Sequence, residues 1–131
     1  MSRLPQIILD TTVLIDALRN RNQRRALLAG LVASGQELAT STMCIAEVYS
    51  GLRPGEEHAT QAFLAGIDWI PITSAIAIRA GNLKGTLRRQ GFTRSINDMI
   101  VAATALEIGL AVATDNRKDF QISGLALFPL P

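Results

Sequence analysis

Four acidic segments of this chain carry side chains that could form a metal site. They stand far apart in the sequence and are centred on Asp10, Glu47, Asp98 and the run Asp115–Asp119. Carboxylates that share a small volume raise one another's pKa, and a divalent cation relieves that repulsion. A donor set made only of oxygen atoms suits Mg²⁺ or Mn²⁺ better than Zn²⁺. If the fold brings these segments together, we expect divalent-metal chemistry.

Each segment also has an ordinary structural explanation. Asp10 can cap the helix that follows it, and Ser95 with Asp98 fits the S-x-x-D pattern of a helix cap. Glu47 can be a surface residue of a helix. The run Asp115–Asp119 contains basic residues, which is typical of a solvated loop. The sequence leaves both explanations open at every position.

The composition excludes several other kinds of site. A single cysteine, Cys44, excludes an internal disulfide, and together with the single histidine, His58, it cannot supply the four ligands of structural zinc. The formal charge of +2 permits nucleic-acid binding without requiring it. With 131 residues, of which 48% are hydrophobic and 18% charged, we predict one folded domain over residues 1–131.

No apolar run predicts export or membrane insertion. The most apolar stretch, Met99–Leu106, ends at Glu107, whereas a span of the bilayer needs about 20 residues. The first residues lack the apolar run of a signal peptide. We therefore predict a cytoplasmic protein with no membrane contact.

Short apolar runs alternate with helical segments along the chain. Strands are predicted at Gln6–Leu9, Glu37–Thr40, Ile67–Ile70, Leu110–Thr114 and Leu125–Phe128. Helices are predicted directly after Asp10 and over Asn22–Ser34, Met43–Leu52, Glu56–Ala65, Thr73–Gln90 and Ser95–Ile108. This alternation predicts an α/β fold with a short parallel sheet between two layers of helices. Such sheets place their sites beyond the carboxyl ends of the strands, where Asp10 and the run Asp115–Asp119 stand.

The segments around these acids resemble a known family. In order, LDTTVLIDALR, STMCIAEVYSGL and INDMIVAATALEIGLAVATDNRKDF resemble the motifs of the PIN-domain nucleases, and within them most resemble the VapC-like toxins of bacterial toxin–antitoxin pairs. The resemblance covers nearly the whole chain. It implies a PIN-like three-layer α/β/α sandwich and Mg²⁺-dependent endoribonuclease activity, with Mn²⁺ as a possible substitute. It also implies a VapB-like antitoxin as partner and a homodimer.

The resemblance further implies roles for single residues. Asp10 and Asp98 match the family's metal-binding aspartates, and Glu47 matches the glutamate of the second motif. Thr12 and Thr114 match hydroxyl residues that support the metal ligands. The fourth acid is left open, because Asn116 stands where an acid is common. Asp115 is counted among the catalytic acids, and Asn116 and Asp119 are counted as supporting ligands.

RNA contact is predicted to be mainly electrostatic, through arginines near the first loop and before Asp98. The candidates are Arg19, Arg88, Arg89 and Arg94, with Arg21, Arg24 and Arg25 beside the first of them. Ordinary solvated helix ends remain an alternative explanation of these charges. The aromatic residues Phe63, Trp69 and Phe128 are expected in the core, so no stacking platform for single-stranded bases is expected. We therefore predict recognition of RNA shape and phosphates.

Two other functions stay open from the sequence alone. A catalytically impaired PIN-like binding module is favoured by Asn116 at the position of the fourth acid. A phosphatase of the haloacid-dehalogenase type also begins at an aspartate after the first strand. That chemistry needs a second acid two residues later, where this chain has Thr12.

Overall fold

A five-stranded sheet lies at the centre of the protein in a computed structural model that describes residues 6–131. Every neighbouring pair of strands is parallel, in the order β3-β2-β1-β4-β5. The strands are β1 (Ile7–Leu9), β2 (Leu38–Ser41), β3 (Asp68–Ile70), β4 (Ala111–Ala113) and β5 (Ala126–Leu127). Each lies within one residue of its predicted bounds at both ends.

Within residues 6–131, six α-helices and one short 3₁₀ helix flank the sheet, as a three-layer α/β/α fold requires. The helices are α1 (Thr11–Leu18), α2 (Arg24–Ala33), α3 (Thr42–Ser50), α4 (Glu57–Ala65), α5 (Ser74–Arg89) and α6 (Ile96–Ile108), and the 3₁₀ helix is Arg117–Phe120. Side-chain oxygens at four helix starts accept main-chain N–H bonds; these belong to Asp10, Ser41, Thr73 and Ser95. Helix α6 ends at Gly109, where a φ of +84° favours glycine. The predicted helices are therefore confirmed together with their local signals.

The core lies around β1, β4 and α6. Ile8 and Leu9 of the central strand are fully buried, as is Val112 of β4. Helix α6 buries the run Val101–Ala105, and its alanines let it lie close to β2 and β4. The helices of residues 6–131 include none with the length and apolar character needed to cross a bilayer.

One expectation about an aromatic residue is wrong. Trp69 is expected in the core but is 47% exposed, because β3 is an edge strand of the sheet. Tyr49 of α3 is also exposed, at 42%. Phe63 and Phe128 are partly buried against the core.

Candidate active site

The carboxyl ends of β1 and β4 bring Asp10 and Thr114 into direct contact. The two strands are parallel neighbours, with Leu9 opposite Ala113, so the residues after them meet at one edge of the sheet. The Asp10 main-chain N–H donates to the Ala113 carbonyl at 3.0 Å. The buried Thr114 hydroxyl donates to Asp10 Oδ2 at 2.8 Å. The sheet topology thus accounts for a contact across 104 residues of sequence.

Asp10 serves as a helix cap and as a member of this site at once. Its Oδ1 accepts the Thr11 N–H at 2.7 Å at the start of α1, and its Oδ2 accepts the Thr12 hydroxyl at 3.5 Å. Only 5% of the residue is exposed. Burial raises the pKa of Asp10; the negative charge of Glu47 acts in the same direction, and the hydrogen bonds oppose them.

Glu47 is held by donors from two other helices, which replaces its interpretation as a surface residue. The Thr11 hydroxyl of α1 donates to Oε1 at 2.7 Å, and the Asn97 amide of α6 donates to Oε2 at 3.0 Å. Both Glu47 oxygens are therefore fixed in direction. Thr11 and Asn97 were not among the predicted site residues, although each stands directly beside a predicted metal ligand.

Asp98 lies in the first turn of α6. Its N–H donates to Ser95 Oγ at 3.0 Å, so the predicted cap is confirmed. Burial is the largest cause that raises the pKa of Asp98 to about 6, and the negative charges of Asp10, Asp119 and Glu47 add to it, against the Ser95 hydrogen bond. These carboxylates are therefore close enough to act on one another.

The loop after β4 contributes Asp119 to the same site. Asn116 Nδ2 donates to Asp119 Oδ2 at 2.6 Å, while the Asn116 N–H donates to Thr114 Oγ1 at 3.0 Å. Arg94 Nη1 lies 3.7 Å from Asp119 Oδ1. We call the four carboxylates of Asp10, Glu47, Asp98 and Asp119 the acidic group.

Asp115, in contrast, is paired with a buried arginine. Its Oδ1 accepts Arg24 Nη2 at 2.6 Å, and Arg24 is only 4% exposed. Arg24 Nη1 also donates to the main-chain carbonyls of Asn22 and Pro131. The alternative explanation of Arg24 as a solvated helix-end residue is therefore wrong, because its side chain is buried in an ion pair.

The other predicted arginines differ in their freedom to meet a ligand. Arg19 donates to the Gly51 carbonyl at 3.1 Å and lies 3.5 Å from Glu56, so it ties α1 to the segment between α3 and α4. Arg88 and Arg89 are exposed in the last turn of α5. Arg94 is partly buried beside the acidic group.

The acidic group fits a divalent cation in the chemistry of its donors. Its four side chains offer only carboxylate oxygens, and within residues 6–131 the one ion pair that it makes is Arg94 with Asp119. No three His, Cys, Asp or Glu side chains of the described residues already surround a common point at ligand distance. Mg²⁺ commonly binds through one or two carboxylates and retains several waters, which suits this open arrangement.

Comparisons with known proteins identify the family of this chain. Residues 7–123 match the family model of the PIN domain. Ribonuclease VapC19 from Mycobacterium tuberculosis is 33% identical over 86% of this chain and 90% of its own length. Ribonuclease VapC10 from the same organism is 34% identical over 84% of this chain and 82% of its own length.

Solved structures share the fold over nearly the whole chain. A toxin–antitoxin complex from Klebsiella pneumoniae contains a chain with 28% identity and a TM-score of 0.76, with 95% of this chain and 98% of that one covered. A chain of DNA-bound VapBC from Salmonella typhimurium gives a TM-score of 0.82 at 21% identity, with 95% and 98% covered, which supports the fold alone. The chain therefore belongs to the PIN-domain family and, within it, to the VapC ribonucleases.

Proposed function

We propose that this protein is a divalent-metal-dependent endoribonuclease that cleaves a structured RNA and acts as the toxin of a VapBC-type pair. The observation that carries the proposal is the acidic group at the carboxyl edge of the sheet. Thr11 and Asn97, the neighbours of Asp10 and Asp98 in the chain, both donate to Glu47, and the charges of Asp10, Glu47 and Asp119 help to raise the pKa of Asp98. A chain of the VapC ribonucleases with this arrangement has the residues that metal-assisted phosphodiester hydrolysis needs.

Asp10 and Asp98 would hold the metal ion, which we propose is Mg²⁺, with Mn²⁺ as a possible substitute. Such an ion lowers the pKa of a bound water and polarises a phosphoryl oxygen. Thr114 and the Thr11 N–H fix the Asp10 carboxylate from the sheet side and the helix side, and Thr12 supports it more weakly at 3.5 Å. Asp10 therefore needs little reorganisation to act as a ligand.

Glu47 would orient the attacking water. Its two oxygens accept hydrogen bonds from Thr11 and Asn97, so its remaining lone pairs face a fixed direction. We assign the fourth acid to Asp119, with Asn116 holding it, and not to Asp115. Support for this choice comes from the 2.6 Å ion pair that Asp115 makes with Arg24 and from the effect of the Asp119 charge on Asp98.

RNA would meet the exposed Arg88 and Arg89 and the partly buried Arg94 next to the acidic group. Arg19 is not among the proposed contacts, since it is committed to Gly51 and Glu56. Binding through phosphates should weaken steeply as the salt concentration rises.

A VapB-like antitoxin is the proposed protein partner. Similar chains occur in solved VapBC complexes from Rickettsia felis and Salmonella typhimurium, both bound to DNA. We also propose a homodimer, on the family resemblance, and action in the cytoplasm, where an RNA substrate would be met.

The test is cleavage of mixed cellular RNA by the purified protein, with Mg²⁺ and then with EDTA. Asp10→Asn and Asp98→Asn should each lower the rate by about 10- to 100-fold or more, because loss of a ligand costs no less than loss of a group that supports one. Asp119→Asn should also impair cleavage. Asp115→Asn is the matched control and should retain it. Circular dichroism would verify that each variant is folded.

Two results would contradict the proposal. Full activity in Asp10→Asn and Asp98→Asn would remove the metal assignment. RNA binding without cleavage at any divalent-ion concentration would favour the catalytically impaired binding module. A phosphatase of the haloacid-dehalogenase type is no longer a candidate, because the chain belongs to the PIN-domain family.

A further inference from the structure

The segment between α5 and α6 presents apolar side chains to solvent close to the acidic group. The main-chain N–H of Phe92 donates to the Leu87 carbonyl at 2.8 Å, which anchors this residue to the last turn of α5. Phe92 is 49% exposed, and Ile96, at the start of α6, is 44% exposed. Asp98 stands two residues after Ile96.

Arg94 connects the Phe92 ring to the acidic group. Its guanidinium carbon lies over the ring, 5.3 Å from the centroid, and its Nη1 lies 3.7 Å from Asp119 Oδ1. Arg94 Nη2 also donates to the Lys118 carbonyl at 3.5 Å, and the Lys84 amino group donates to the Arg94 carbonyl. Arg94 is therefore held by several contacts, and this single side chain lies between the Phe92 ring and an acid of the group.

We propose that Phe92, with Arg94 behind it and Ile96 beside it, binds an unpaired nucleobase next to the phosphate that is cleaved. We call these three residues the base ledge. The inference rests on the proposed ribonuclease function and deepens it, since it names the residues of this chain that would hold one base of the RNA beside the cut.

The charges around the base ledge favour an RNA over an apolar protein segment. Arg88 and Arg89 precede the ledge in the chain, and Lys118 contacts Arg94 through its carbonyl; all three are exposed. A cationic surface with a half-exposed aromatic ring suits a polyanion whose bases can stack. The expectation that no stacking platform exists assumed that the aromatic residues are buried, and Phe92 is not.

A direct test places the only tryptophan on the ledge. Trp69→Phe combined with Phe92→Trp leaves a single indole at residue 92, and Trp69→Phe with Ile108→Trp gives a control at the far end of α6. The probes are a fluorescein-labelled single-stranded oligoribonucleotide of mixed sequence and an abasic oligonucleotide of the same length, both in EDTA. Anisotropy measures binding, and indole fluorescence measures stacking.

We expect the base-containing oligonucleotide to quench the indole at residue 92, the abasic one to leave it unchanged, and neither to quench the indole at residue 108. In the native background, Phe92→Ala should weaken binding of the base-containing oligonucleotide by about 5- to 50-fold, from the usual contribution of one stacked base. Phe92→Trp should restore it, and Ile108→Ala should match the wild type. Unchanged melting temperatures would exclude misfolding.

The inference would be overturned by the absence of quenching at residue 92 when the oligonucleotide is bound, or by the absence of any binding. It would equally be overturned if Phe92→Ala weakened binding to a co-expressed antitoxin but left RNA binding intact. Because the assay runs in EDTA, it separates the two proposals: quenching without cleavage in Mg²⁺ would contradict only the ribonuclease, and cleavage that ignores Phe92→Ala would contradict only the ledge.

Discussion

The orientation of the Glu47 carboxylate is determined by residues of other helices and not by α3 itself. Thr11 of α1 and Asn97 of α6 each donate to one of its oxygens, at 2.7 and 3.0 Å. A hydrogen bond to a charged group contributes about 1.5–3 kcal/mol, so these two donors hold the carboxylate against rotation. Asn97 is therefore a positioning residue in the proposed mechanism, because it acts through Glu47.

Asn97→Ala should lower kcat by about tenfold or more while KM changes little, since Glu47 loses one donor but the RNA surface is unaltered. Asn97→Asp keeps the shape of the side chain but replaces the donor to Glu47 with a second negative charge. This variant should lower kcat at least as much as Asn97→Ala. Initial rates across RNA concentrations would measure both. The exposed Asn82 on α5 supplies the control, Asn82→Ala. Wild-type kcat in both Asn97 variants would refute the positioning role.

Helix α2 begins without a side-chain cap, whereas α1, α3 and α6, which carry the candidate site, each have one. Gln23 at its start has a φ of +57° and makes no capping bond, and the first helical residue is a buried cation, Arg24. A cation at a helix N-terminus is unfavourable. The ion pair with Asp115, at 2.6 Å, offsets this and ties α2 to the loop after β4.

Arg24→Ala should therefore destabilise the protein by about 2 kcal/mol, less than the roughly 3–5 kcal/mol of a fully buried pair, because Asp115 is exposed. Urea unfolding followed by circular dichroism would measure it. Arg24→Lys should recover little of the loss, since an ammonium does not reproduce the fork of a guanidinium. RNA cleavage per folded molecule should stay unchanged. If Arg24→Ala kept its stability and lost RNA affinity, the side chain would be an RNA contact after all.

The acidic group makes the stability of the whole metal-free protein depend on pH. The pKa of Asp98 is raised from 3.8 to about 6 by burial and by its negative neighbours. Between these two values the unfolded chain loses this proton before the folded chain does. The free energy of unfolding therefore falls as the pH rises through this window.

Asp98→Asn removes this titration and one of the repelling charges. In EDTA we expect the variant to melt at a higher temperature than the wild type at about pH 7, and the two to converge near about pH 4, where Asp98 is largely protonated in the folded state. Asp68→Asn, at an exposed acid of β3, should show no such pattern. Added Mg²⁺ should stabilise the wild type more than Asp98→Asn. A variant that melts below the wild type at about pH 7 in EDTA would contradict the repulsion.

Local patterns of residue types were enough to predict the elements of this molecule and to single out the acids of the candidate site. Strands and helices were predicted from apolar runs, helix caps and glycines. These signals involve only a few consecutive residues, so they can be recognised in the sequence alone. Asp10 and Thr114 could be placed at one edge because parallel strands end together. Asp98 could be placed at a helix start because Ser95 stands three residues before it.

Which side chains face one another depends on how these elements pack. Asp115 and Asp119 stand in one loop, and the choice between them depends on Arg24, which is 91 residues away from Asp115 in the chain. The donors to Glu47 come from helices 36 and 50 residues away. The exposure of Trp69 depends on β3 being an edge strand. Distances and burial of this kind arise between elements that are remote in the chain, so no local pattern of residue types specifies them.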